Sequence, residues 1–270
     1  GGIIDEDALF RALSENKIAG AGLDVFNSEP PEGSKLLDLD NILLTPHLGA
    51  STGEAQEKAG ISVAKSVRLA LAGDLVPDAV NVAGGLIDAS VKPGIPLAEK
   101  LGQLLNGIAH ASLTSIEIEV RGYIAEHDVT VLKLAALKGI FQNMVTDQVS
   151  YVNAPLIAEG RGVDVKLITD TNSEEYRNVT IIRATLGDGS TVSVAGTVTG
   201  PKLTQKIVNI NGYDVEVPMD DNFVVMVYDD RPGIVAIYGS AFAEAEVNIA
   251  AMQIARKSEG GKALSVVTVD

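Results

Sequence analysis

The chain has no cysteine and no tryptophan, and only three of its 270 residues are histidine. The missing cysteine removes disulfides, thiol nucleophiles and thiolate metal sites together, which suits a reducing compartment and sets a cytoplasmic location as the expectation. No metal site is read elsewhere in the pattern. Aromatics are only 4% against 46% hydrophobic residues, so Val, Ile, Leu and Ala must fill the core. Positive charge is also short: 21 Lys and Arg face 36 Asp and Glu, a formal charge of −15. Nucleic acid and anionic membranes demand a positive field and are excluded as main partners, whereas a small anionic substrate needs only a few local donors. No apolar run approaches the roughly 18 to 20 residues of a membrane-spanning helix, and no signal-peptide pattern is read at the opening.

What is present divides by texture. At 270 residues the chain predicts two or three compact units. In residues 1–50, Asp5 is placed to cap a helix through "EDALFRALSEN", with "GLDVF" and "NILL" as short strands on either side of the loop "NSEPPEGS". Strand, helix and strand with short links predict a parallel α/β sheet. Ser51-Thr52-Gly53-Glu54 fits an S-x-x-E capping box, and Ala55, Ala59, Val63, Val67 and Leu71 lay an apolar stripe along the helix that follows. Gly73 suits its left-handed end. Periodicity is lost over "VPDAVNVAGG", which places a boundary near residue 84.

From residue 85 helices precede hairpins, an α+β order. "IPLAEKLGQLLNGIA", "HDVTVLKLAALKGIF" and "VSYVNAPLIAEG" read as helices, and residues 116–120 alternate as a strand. Gly187-Asp188-Gly189 and Asn211-Gly212 supply turns between later strands. A third unit begins near 221: strand "NFVVMVY", a helix in "RPGIVAIYGSAFAEA" with Pro232 in its first turn, then strands "VNIAAMQIAR" and "KALSVVTVD". The opening "GGIIDEDALF" and the closing "GKALSVVTVD" both read as cut ends.

Chemistry concentrates at His47, which follows Thr45-Pro46 at the carboxyl end of a strand, where open α/β sheets gather ligands. Histidine exchanges protons near neutral pH; the same residue also reads as an exposed turn histidine. Glu29 lies in the loop after the neighbouring strand. Beside an imidazole it would hold one tautomer and favour the protonated ring, and alone it is a solvated charge.

"GGIIDEDAL", "AGAGLDVFNSEPP" and "NILLTPHLGAST" resemble the last third of the catalytic core of NAD-dependent D-2-hydroxyacid dehydrogenases. The remainder, including "FVVMVYDDRPGIVAIYG" and "EVNIAAMQIA", resembles the long-form D-3-phosphoglycerate dehydrogenases. The resemblance implies a multidomain α/β and α+β chain. Residues 1–49 would be the C-terminal part of a Rossmann-like nucleotide-binding domain, and 50–84 a connecting helix and substrate-domain tail. Residues 85–220 would be an α+β intervening domain, and 221–270 an incomplete ferredoxin-like ACT domain. It implies His47 as acid/base on the substrate oxygen, Glu29 as its orienting carboxylate, and Asp24, Gly49 and Ala50 near the nicotinamide of NAD. Asp24 equally reads as an ordinary strand-end acid.

The substrate implied is D-3-phosphoglycerate, in the first step of L-serine biosynthesis. L-serine would act as feedback effector at Tyr228, Asp230 and Asn248, and a homo-oligomer is expected. The family's substrate-clamping arginine and its G-x-G-x-x-G fingerprint do not occur in these residues, so the 270-residue chain alone is expected to be inactive. An alternative is a non-catalytic regulatory fragment that binds serine and mediates oligomerisation. Lys202, Lys206 and Arg121 are weaker candidates for an anion site in the middle module.

Overall fold

The computed structural model describes residues 2–80, 87–219, 222–258 and 260–270. The boundaries expected near residues 84 and 221 fall outside the described residues. Residues 1–67 and 68–270 form two compact units.

In the first unit, Asp5 caps helix α1 (Glu6–Ser14) by accepting the Ala8 N–H at 2.9 Å. Strands β1 (Ala21–Leu23) and β2 (Ile42–Leu44) pair in parallel, Leu23 opposite Leu44. Leu13, Leu23, Phe26 and Leu36 form its buried core, flanked by Leu9, Phe10, Ile42 and Leu44. The strand expected over "GLDVF" stops at Leu23, because the Asp24 carboxylate turns away to bond the chain beyond β2. Helix α2 runs over Gly53–Leu71. Its cap is Thr52, whose Oγ1 accepts the Ala55 N–H at 3.1 Å, one residue later than the Ser51 box expected. The Ala55–Leu71 stripe exists, yet no α2 residue is buried.

The second unit is built on a six-stranded sheet in the order β4-β3-β5-β6-β7-β8. Its strands are β3 (Leu113–Gly122), β4 (Asp164–Asp170), β5 (Asn178–Leu186), β6 (Thr191–Thr199), β7 (Thr204–Ile210) and β8 (Tyr213–Pro218). Only β3 and β4 pair in parallel; β3 pairs antiparallel with β5, and β5 to β8 follow as antiparallel hairpin neighbours. Asn211 and Gly212 both take positive φ, 51° and 76°, as the β7–β8 turn requires.

Helix α3 (Gly94–Ile108) packs on this sheet and against α4 (Thr130–Phe141), which is apolar nearly all round and buried on most sides. The two helices approach until backbones nearly touch. A Cβ on Gly139 would lie 1.9 Å from the Glu99 carbonyl oxygen, and one on Gly102 would lie 2.2 Å from that of Ala136. Helix α5 (Ala154–Gly160) starts later than expected from "VSYVNAPLIAEG". The Asn153 side chain accepts the Ser150 N–H at 2.7 Å and donates to the Gln148 carbonyl, holding residues 148–153 as a turn.

Strands β9 (Phe223–Asp229), β10 (Ile249–Arg256) and β11 (Lys262–Val269) form a three-stranded antiparallel sheet with β11 central. Leu264 and Val266 join the same core cluster as α3 and α4. Helix α6 (Ile234–Glu244) begins after Gly233, which sits at φ 88°, so Pro232 precedes the helix instead of lying in its first turn. At the β8 edge, the Gln253 side chain accepts the Glu216 N–H at 2.9 Å, and Lys257 donates to the Asn211 carbonyl at 2.7 Å while lying over the Tyr213 ring.

Candidate active site

Parallel pairing of β1 and β2 puts the loops that follow them at the same end of the sheet. The Thr45 N–H donates to the Leu23 carbonyl at 3.0 Å, carrying the pairing one step past the strands. Glu29 comes from the first loop and His47 from the second. His47 Nδ1 lies 2.7 Å from Glu29 Oε2.

Glu29 is fixed from its other side by the Phe26 N–H, which donates to Oε1 at 3.0 Å. That backbone bond first, and the imidazole second, hold its carboxyl below the usual range, so it is ionised at neutral pH. An ionised carboxylate only accepts. Nδ1 therefore carries the hydrogen, and in the neutral ring Nε2 holds the free lone pair.

The His47 side chain is 58% exposed and borders a cavity of about 420 Å³. The walls are apolar, from Phe26, Pro30, Pro31, Leu37, Leu44 and Pro46, and the polar lining is Asp24, Glu29, Thr45 and His47. Among the described residues no Lys or Arg lines it. The site can orient and relay a proton, but among the described residues it offers an anionic substrate no Lys or Arg.

Asp24 sits between the two loops. Its Oδ1 accepts from Thr45 Oγ1 at 2.6 Å and the Leu48 N–H at 2.7 Å, and its Oδ2 accepts the Gly49 N–H at 2.8 Å. The Thr45 hydroxyl first, then these N–H groups, hold its carboxyl below the usual range. Oδ2 retains a lone pair for a further donor. The Gly49 N–H is engaged with Asp24, and Ala50 is exposed. The resemblance expects these residues at the nicotinamide end of NAD; nothing in their sequence supplies a glycine-rich phosphate cradle. Thr45 and the Leu48 N–H were not picked out from sequence. Their signal is positional: they bracket the histidine one step beyond a strand end.

The expected effector residues are not all together. Tyr228 and Asp230 lie at one end of the three-stranded sheet, where Lys262 opposes Asp229. Asn248 lies at the other, beside Ile249 opposite Val269. That is seven residues along β11, roughly 23 Å at about 3.3 Å per residue. Asp230 pairs with Arg256 at 3.1 Å, and Asn248 Nδ2 donates to Asp270 at 2.7 Å. In the middle module, Arg121 is engaged by Glu119 and Lys206 by Glu216.

Comparison with known proteins gives matches to two family models and to several curated proteins. Residues 1–49 match the D-isomer specific 2-hydroxyacid dehydrogenase NAD binding domain, and residues 90–211 match the D-3-phosphoglycerate dehydrogenase intervening domain. Among similar curated proteins, D-3-phosphoglycerate dehydrogenase of Mycobacterium leprae (strain TN) is 44% identical over 270 residues, covering all of this chain and 51% of that protein. The proteins of the same name from Methanocaldococcus jannaschii and Bacillus subtilis (strain 168) are 35% and 34% identical over 272 residues, again covering 100% of this chain and 51% of theirs. The chain thus spans about half the length of the curated relatives it matches.

Proposed function

We propose that the chain carries the acid–base pair of an NAD-dependent D-3-phosphoglycerate dehydrogenase. The observation that carries this reading is the 2.7 Å contact between His47 Nδ1 and Glu29 Oε2 at the ends of two parallel strands. His47 Nε2 takes the proton of the substrate hydroxyl as its carbon becomes a carbonyl. The Glu29 carboxylate stabilises the imidazolium that forms and fixes the ring's direction. NAD, when bound, supplies the acceptor for the hydride that leaves the same carbon. In the reverse direction the imidazolium returns the proton to the carbonyl oxygen. The product is 3-phosphohydroxypyruvate, which commits carbon to L-serine.

The cavity without Lys or Arg supports a division of labour, in which the cations that grip the substrate's carboxylate and phosphate come from beyond these residues. Positioning of both reactants is worth roughly 7 to 11 kcal/mol of barrier, so the 270-residue chain by itself should show no NADH-linked turnover. A chimera joining the first half of the Mycobacterium leprae relative to this chain tests the role directly. It should oxidise D-3-phosphoglycerate, and His47→Asn should cut kcat/KM on the order of 100-fold or more. Unchanged kinetics in that variant would remove His47 from the chemistry.

Serine feedback through residues 221–270 as an ACT domain, in a homo-oligomer, belongs to the same proposal. Support comes from Asp230 and Tyr228 standing before the turn that opens α6. The distance of Asn248 from both means that one shared site needs two copies. The alternative, a regulatory module without catalysis, is separated by calorimetry on the chain: heat with L-serine and none with NADH favours the module.

A further inference from the structure

We propose that Asp24 is a positioning residue, a carboxylate clamp on Thr45, Leu48 and Gly49 that holds His47 in the left-handed conformation from which its ring reaches Glu29. This deepens the acid–base reading above and rests on it for its functional weight.

His47 has φ 55°, a region that few non-glycine residues enter and that persists only where neighbours over-determine it. Its own N–H reaches back to the Thr45 carbonyl at 3.0 Å, closing a tight turn around Pro46. The three donors to Asp24 flank His47, one two residues before it and two in the residues directly after it. Asp24 itself follows Leu23, the last residue of β1, so the clamp is anchored on a paired strand. Glu29 grips the ring; Asp24 grips the backbone on either side.

Two details favour this carboxylate and this glycine. Gly49 approaches so closely that a Cβ there would lie 3.1 Å from Asp24 Oδ2. An asparagine at 24 keeps one acceptor oxygen, but its amide would meet either the Gly49 N–H or the Thr45 and Leu48 donors with a donor of its own. Asp24 was expected beside the nicotinamide, and the spare lone pair on Oδ2 leaves that contact available while the clamp is made.

The test is nuclear magnetic resonance on the full chain with Asp24→Asn and Thr45→Val. A positive φ brings the His47 amide and α protons close and gives a strong cross-peak between them, while the ring nitrogen shifts report the tautomer. In Asp24→Asn the cross-peak should weaken to that of an extended residue, and the neutral ring should shift from Nδ1–H toward Nε2–H. Thr45→Val should move both signals part of the way, and Thr45→Ser should restore them. A folded Asp24→Asn chain with the wild-type cross-peak and tautomer overturns the proposal. Should that variant fail to fold, an unmoved Thr45→Val overturns it equally. The dehydrogenase reading fails separately, by a folded chimera inert toward D-3-phosphoglycerate, and that result leaves the clamp to be judged on the spectra.

Discussion

The two units hold their residues in place by different means. Residues 1–67 have a core of four buried apolar side chains, and their site is positioned by carboxylates that accept backbone N–H groups. Residues 68–270 share one large apolar cluster running from α3 through the six-stranded sheet to Leu264 and Val266. Glycine shows the difference in miniature. Gly49 admits a carboxylate oxygen, whereas Gly102 and Gly139 admit the backbone of another helix. The candidate site lies where hydrogen bonds set geometry, and close helix packing belongs to the other unit.

The sharpest way to break this contrast is Gly139→Ala. Its new methyl would meet the Glu99 carbonyl, a backbone atom that cannot step aside. Overpacking of that kind should cost about 3 kcal/mol or more, read as a lower urea midpoint for residues 68–270. A loss under about 0.5 kcal/mol, the level of an ordinary surface substitution, would mean the helix pair is not tightly packed.

A smaller effect comes from the packed unit's own acid-held turn. Asp188 accepts from the Ser190 hydroxyl and N–H and lies 3.1 Å from His110 Nε2. Ser190 first, then His110, lowers its pKa to about 2 from 3.8. The folded pKa lies below the unfolded one, so the turn's contribution is full above about pH 4 and fades as pH falls toward 2. Asp188→Asn should flatten the acid limb of the stability curve over that interval. An acid limb identical to wild type would show that the carboxylate does not hold the turn.

The smallest effect is expected on α2. Val63 is 61% exposed within an apolar stripe that buries nothing, so Val63→Ser should change stability by no more than about 0.5 kcal/mol. A thermal shift beyond that would reveal a partner for the stripe.

Periodicity and turn chemistry made most of the second unit legible. Asn211-Gly212 and Gly187-Asp188-Gly189 mark hairpins because the positive φ of Asn211, Gly212 and Gly189 is a local demand of each turn. The pairing of Glu29 with His47 was legible as well, since two short parallel strands send their following loops to one end. What stayed hidden depends on partners distant in sequence. The helix expected over "VSYVNAPLIAEG" starts only at Ala154, because the Asn153 side chain takes the Ser150 backbone donor. The α2 stripe shows which face is apolar and says nothing of what covers it. Asp24 reads as a strand-end acid until three donors more than 20 residues away close on it.

The side chain of Gln253 has one more consequence. An outer strand that shows bare amide hydrogens invites a foreign strand to zip onto it. On β8 the Glu216 amide is already taken by Gln253, and the ammonium of Lys257 stands at the neighbouring turn. The hairpin β7–β8 is thereby blunted as a template for fibrillar stacking, with one glutamine and one lysine serving as its gatekeepers.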